Sequence, residues 1–99
     1  MNNNIRGIVI DPGHGGADPG AIGNGITEKD YTLKISQYMY DRFKKLGIPV
    51  VMTRDTDITL TPTERVNKAK TAFGNYKDVL VISNHINAGG AKGKNVGKV

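Results

Sequence analysis

The chain is 99 residues long, which points to one domain with a small core. It has no cysteine, which excludes a disulfide framework and a thiolate metal site. A net charge of +5 favours an anionic partner such as nucleic acid, an acidic membrane or an anionic wall polymer, while the lack of Trp weighs against a surface that stacks single-stranded bases.

No stretch approaches the apolar length of a membrane helix. Residues 1–6 carry no apolar segment after a basic start, so no signal peptide is expected. Residues 7–11 are expected to form a buried strand, with Ile8, Val9 and Ile10 in succession. Asp11-Pro12-Gly13 then stops the strand and turns the backbone. Residues 12–26 read as a glycine-rich loop without period, with His14 set among Gly13, Gly15 and Gly16.

Thr27 opens a helix as its cap, with Asp30 at the place of a capping-box acid. Tyr31, Ile35, Tyr38, Met39, Phe43 and Leu46 form its apolar stripe, Gly47 ends it, and Pro49 prevents its continuation. A second strand is expected over 49–53, followed by a polar loop at 55–57. Thr61-Pro62-Thr63-Glu64 is a fuller helix start, with proline at the first helical position. That helix is expected to run to about Phe73, with Val66, Ala69 and Phe73 facing inward. Val79 to Ser83 is a third aliphatic strand, and residues 89–99 are a loose Gly/Lys-rich tail.

Aliphatic strands alternating with amphipathic helices predict an α/β fold: a mostly parallel sheet with flanking helices. In such sheets, sites form beyond the carboxyl ends of the strands. His14 follows the first strand and His85 follows the third. Glu28 lies in the first turn of the first helix, which starts at the same edge. Topology thus gathers three remote residues at one rim.

Two imidazoles and one carboxylate are a common catalytic zinc set, leaving a fourth position for water. The histidines must be neutral to bind, so acid would release the metal. Asp11, Asp18 and Asn87 are near enough in sequence to support the ligands or touch substrate. Each residue alone has an ordinary reading. His14 suits a surface loop, Glu28 complements a helix dipole, and His85 suits a backbone-bonded loop. They are set apart because the chain's two histidines both fall at strand ends on the same rim.

The segments Ile8-Val9-Ile10-Asp11-Pro12-Gly13-His14-Gly15-Gly16, Asp18-Pro19-Gly20-Ala21, Glu28-Lys29-Asp30, Met52-Thr53-Arg54, Arg65 and Ile82-Ser83-Asn84-His85-Ile86-Asn87-Ala88 occur in that order. Together they resemble the zinc-dependent N-acetylmuramoyl-L-alanine amidase family, the catalytic domain of many autolysins and phage endolysins. The resemblance spans residues 7–88 and implies an α/β domain over 1–88 with zinc at one edge of the sheet, on His14, Glu28 and His85. It implies cleavage of the amide between N-acetylmuramic acid and L-alanine of peptidoglycan. It also implies action on the outer side of the bacterial membrane, with a cytoplasmic stage before release in endolysins that lack a signal.

Three departures from the family pattern stand out. Asn84 replaces the usual aliphatic residue, and Lys70 stands where Asn is frequent. After His85 there is no Asp or Glu, so the family's general acid/base glutamate is expected beyond Val99 and no catalytic residue is assigned within the chain. The expectation is therefore an amidase domain truncated at its C-terminal side. The alternative is a zinc-binding, wall-binding fragment with weak or no turnover. A phosphate-binding loop fits poorly: Gly13 and Gly15 are followed by Asp18, and no G-K-[ST] occurs. No nucleic-acid motif accompanies the charge.

Overall fold

The computed structural model describes residues 5–74 and 78–86. Asn87 and the tail at 89–99 lie outside the described residues. The elements run β1 (Gly7–Pro12), β2 (Ile22–Gly23), β3 (Ile26–Thr27), α1 (Glu28–Lys45), β4 (Val50–Met52), α2 (Pro62–Thr71) and β5 (Val79–Asn84). β1, β4 and β5 form a parallel sheet in the order β4-β1-β5. Ile8 pairs with Val50 and Leu80, and Ile10 pairs with Met52 and Ile82.

Because strand side chains alternate between faces, β1 presents Ile8 and Ile10 to one side and Gly7, Val9 and Asp11 to the other. Ile8, Ile10 and Val50 pack with Met39, Tyr40 and Phe43 of α1. Ile10 is wholly buried and Val9 is 1% exposed, so the central strand is covered on both faces. Burying each such side chain stabilises the fold by about 1.5–3 kcal/mol. On the second face the ring of Phe73 lies over Gly7, where any Cβ would collide with it. Arg65 of α2 reaches Asp11 on that same face.

α1 covers the expected span, from just after Thr27 to just before Gly47, though the capping expected at its start is not made. Gly47 adopts φ 78, and its N–H donates to the Lys44 carbonyl. Its start differs from expectation: Thr27 is the N-cap residue, but its side chain makes no capping bond. The buried stripe differs too. Tyr31, Ile35, Tyr38 and Leu46 are exposed, whereas Glu28, Thr32 and Ser36 are buried. Residues four apart share a helix face, and the face turned inward here carries the polar groups that bond to the loop after β1 and to β5.

α2 has the full capping box. It ends at Thr71, and Val66 is exposed rather than turned inward, since Arg65 and Lys68 take the sheet side. β5 is aliphatic as expected but only partly covered, with Leu80 and Val81 exposed, because it flanks the described sheet. The loop at 12–26 contains an unanticipated hairpin. Ile22 pairs with Thr27 and Gly23 with Ile26, and Asn24 and Gly25 both take positive φ, as a tight I′-type turn requires. Among the described residues no helix is long and apolar enough to cross a membrane.

Candidate metal centre

Parallel pairing puts the carboxyl ends of β1 and β5 at one rim, so His14 and His85 leave the sheet side by side. Their rings meet edge to face, 5.2 Å between centroids. Gly13 between them donates its N–H to the Asn84 carbonyl at 2.9 Å. A Cβ on Gly13 would lie 2.7 Å from His85 Nδ1, so only glycine leaves room for that ring. The Asn84 amide donates to Ser36 Oγ at 2.8 Å and ties the end of β5 to α1.

Glu28, the first residue of α1, enters between the rings. Its Oε1 lies 3.2 Å from His14 Nε2 and its Oε2 lies 3.4 Å from His85 Nδ1. Two backbone donors fix the carboxylate, Ala21 N–H on Oε1 and Ile86 N–H on Oε2, each at 2.9 Å. Burial would raise its pKa, but these two N–H groups and the neighbouring imidazoles outweigh it and hold the group below the usual carboxylate range. Glu28 is thus an ionised carboxylate that is only 5% exposed.

One donor atom from each of His14, Glu28 and His85 can be chosen so that all lie within 4.8 Å of one another. Two donors held at ~2.0–2.1 Å from zinc at a tetrahedral angle stand roughly 3.3 Å apart. Each imidazole nitrogen stands near that spacing from its own oxygen of Glu28, and this set of two imidazoles and a carboxylate has the donor chemistry of a small divalent ion site. Asp18 Oδ2 lies 2.9 Å from His14 Nδ1, on the ring edge away from Glu28. That contact favours the tautomer that leaves Nε2 free for a metal. Asp11 is engaged elsewhere: it accepts from Thr53 and Arg65 on Oδ1 and from Ser83 on Oδ2, each at 2.7 Å. Burial opposes its ionisation, yet these three donors and the Arg65 charge hold its pKa below the ordinary value.

His14 itself has φ 63, a left-handed conformation that costs a non-glycine residue about 1–3 kcal/mol. Several hydrogen bonds converge on its carbonyl and on its neighbours. Arg54, 2% exposed, donates from Nε to the His14 carbonyl at 2.6 Å and from Nη2 to the Gly13 carbonyl at 2.9 Å. Arg65 donates to the His14 carbonyl at 2.6 Å as well. Thr59 and Asp57 accept from the backbone of Ala17 and Gly16 and pin the loop further along. Sequence reasoning gave none of Arg54, Arg65 and Asp57 a role. The signal was position: Thr53 and Arg54 follow β4 at the same carboxyl rim as the histidines.

A family model described as N-acetylmuramoyl-L-alanine amidase matches residues 8–97. The chain is 45% identical over 82 residues to the uncharacterised protein YqiI of Bacillus subtilis, covering 83% of this chain and 38% of that one. It is 40% identical over 88 residues to the N-acetylmuramoyl-L-alanine amidase LytC of Bacillus subtilis, covering 89% of this chain and 17% of that one. The solved structure of the N-acetylmuramoyl-L-alanine amidase AmiC2 of Nostoc punctiforme superposes with a TM-score of 0.71 at 34% identity, covering 86% of this chain and 45% of that one. The chain therefore spans less than half the length of each of these three proteins. With its residues matched almost from end to end, the chain belongs to the N-acetylmuramoyl-L-alanine amidase family.

Proposed function

We propose that this chain contributes the zinc-binding part of a peptidoglycan hydrolase that cleaves the amide between N-acetylmuramic acid and L-alanine. The observation that carries the reading is the Glu28 carboxylate, buried, ionised and set between His14 Nε2 and His85 Nδ1. Family membership supports the reaction class. His14, Glu28 and His85 would hold the ion. Mixed nitrogen and oxygen donors without thiolate suit zinc. When bound, zinc supplies Lewis acidity, polarising an amide carbonyl and acidifying a water.

The chain's own residues do the rest of the positioning. Ala21 and Ile86 N–H groups keep Glu28 charged and aimed, Asp18 orients the His14 ring, and Gly13 admits the His85 ring. The carboxylates Asp11 and Asp57 at this rim already bond to Arg65 and Lys29 respectively. The net charge of +5 favours a wall rich in anionic polymers as the setting, on the outer side of the bacterial membrane.

The test is an assay of purified peptidoglycan for newly exposed N-terminal L-alanine, run with a wall pull-down. Release that stops with a chelator and returns with zinc supports the reading. Release insensitive to chelator overturns it. Zinc uptake and wall binding without release would select the weak-turnover alternative.

A further inference from the structure

Among the described residues Arg54 is the largest fully buried side chain, and it is not itself a candidate metal ligand. Its donors go to oxygen atoms on three segments. Nε reaches the His14 carbonyl at 2.6 Å, and Nη1 reaches the Thr56 carbonyl at 2.9 Å. Nη2 reaches the Gly13 carbonyl at 2.9 Å, the Lys29 carbonyl at 3.1 Å and Thr32 Oγ1 at 3.3 Å. Gly13 and His14 belong to the loop carrying one candidate ligand. Lys29 and Thr32 belong to the first turns of α1, which carry Glu28.

A second guanidinium converges on the same oxygen. Arg65 Nη2 donates to the His14 carbonyl at 2.6 Å, while Nη1 donates to the Pro12 carbonyl at 2.6 Å and to Asp11 Oδ1 at 2.7 Å. Two like charges placed against one carbonyl repel each other, and Arg54 has been taken almost wholly out of water. That expense has a local counterpart in His14, the residue whose carbonyl they share, with φ 63. Rotating that dihedral to an ordinary negative value would swing the imidazole away from Glu28.

We propose that Arg54 and Arg65 are positioning residues: a paired-guanidinium clamp that holds His14 left-handed and fastens its loop to the start of α1, so that His14 Nε2 and Glu28 Oε1 face each other before any metal arrives. The inference rests on the metal reading above for its consequence, though not for its geometry. Lysine offers a point charge where arginine offers a planar fork, so Arg→Lys keeps the charge and removes the clamp.

The experiment uses the whole chain as Arg54→Lys, Arg65→Lys and the control Lys68→Met. Lys68 lies on the same helix as Arg65 and bonds to the Thr53 carbonyl at 2.8 Å, with no bond to His14. In metal-free protein, the Cα and Cβ carbon shifts of His14 report its backbone conformation. Zinc affinity is then read by competition with a chromophoric chelator. The expected result is a left-handed His14 in the parent and in Lys68→Met. Both arginine variants should leave that range and bind zinc about 10- to 100-fold more weakly. Should Arg54→Lys not fold, Arg65→Lys decides on the same two readouts. A left-handed His14 with parental zinc affinity in the arginine variants overturns the clamp. So does an equal loss of affinity in Lys68→Met, which would mean general loosening. If the parent takes up no zinc, the metal reading fails by itself and the carbon shifts alone decide the clamp.

Discussion

Asp18 and Glu28 address opposite edges of one ring: Asp18 Oδ2 lies 2.9 Å from His14 Nδ1, and Glu28 Oε1 lies 3.2 Å from His14 Nε2. The exposed carboxylate is thus the one that fixes the tautomer, and the buried one is the candidate ligand. Replacing Asp18 with alanine should weaken zinc binding about 10- to 100-fold while barely moving the unfolding midpoint. Asp18→Asn, which keeps an acceptor oxygen, should lose less. Isothermal titration with zinc alongside a thermal melt checks both.

Gly20 and Gly25 share a left-handed backbone but differ in surroundings, with φ 71 and φ 74. A Cβ on Gly20 would lie 2.6 Å from His14 Cδ2 and 2.7 Å from Glu28 Oε1, whereas one on Gly25 meets nothing within 4 Å. Gly25→Ala should therefore cost only the backbone term, about 1–2 kcal/mol, and leave zinc binding intact. Gly20→Ala should pay the same term and also lose zinc binding. Urea unfolding paired with a metal titration separates the two effects.

The Asp11 carboxylate gathers Thr53, Arg65 and Ser83, joining β1, the end of β4, α2 and β5. Burial opposes its charge, but those partners win and its folded pKa is depressed. A depressed carboxylate contributes stability that is fully present above its unfolded value of about 3.9 and is lost as pH falls through the lower folded value. Asp11→Asn should cost about 3 kcal/mol at neutral pH, since it leaves Arg65 facing a weaker partner. The gap between parent and variant should narrow below about pH 4. Urea denaturation at neutral and acidic pH measures that gap.

Two threonines open the two long helices, and only one caps. Thr61 Oγ1 accepts from Glu64 N–H at 3.1 Å, and Thr61 N–H donates to Glu64 Oε1 at 2.7 Å. Thr27 makes no such bond. Thr61→Ala should cost about 1 kcal/mol, and Thr27→Ala a few tenths at most on the capping count. Chemical denaturation of the two variants compares them directly.

These contrasts show where sequence reasoning reaches and where it stops. The runs Ile8-Val9-Ile10 and Val79 to Ile82 read as parallel strands because every residue is apolar, and their shared edge follows from topology alone. The pattern failed on α1, where Tyr31, Ile35 and Tyr38 were expected inside. Hydrophobic periodicity cannot see that Thr32 and Ser36 are buried by hydrogen bonds to Gly13 and Asn84. The hairpin at 22–27 left a signal that went unused: Asn24-Gly25 is a strong turn pair, but two-residue strands are too short to show alternation. Arg54 was singled out only within the segment Met52-Thr53-Arg54, without a role, and the fold reveals the carbonyls it bonds to.

The most direct test is an equilibrium titration of the metal-free chain with zinc, repeated on His14→Ala, Glu28→Gln and His85→Ala. One zinc per chain in the parent, with binding lost or strongly weakened in each variant, is the result that follows from a carboxylate lying between two imidazoles. A parent chain that takes up no zinc, or variants that bind it as the parent does, would contradict it.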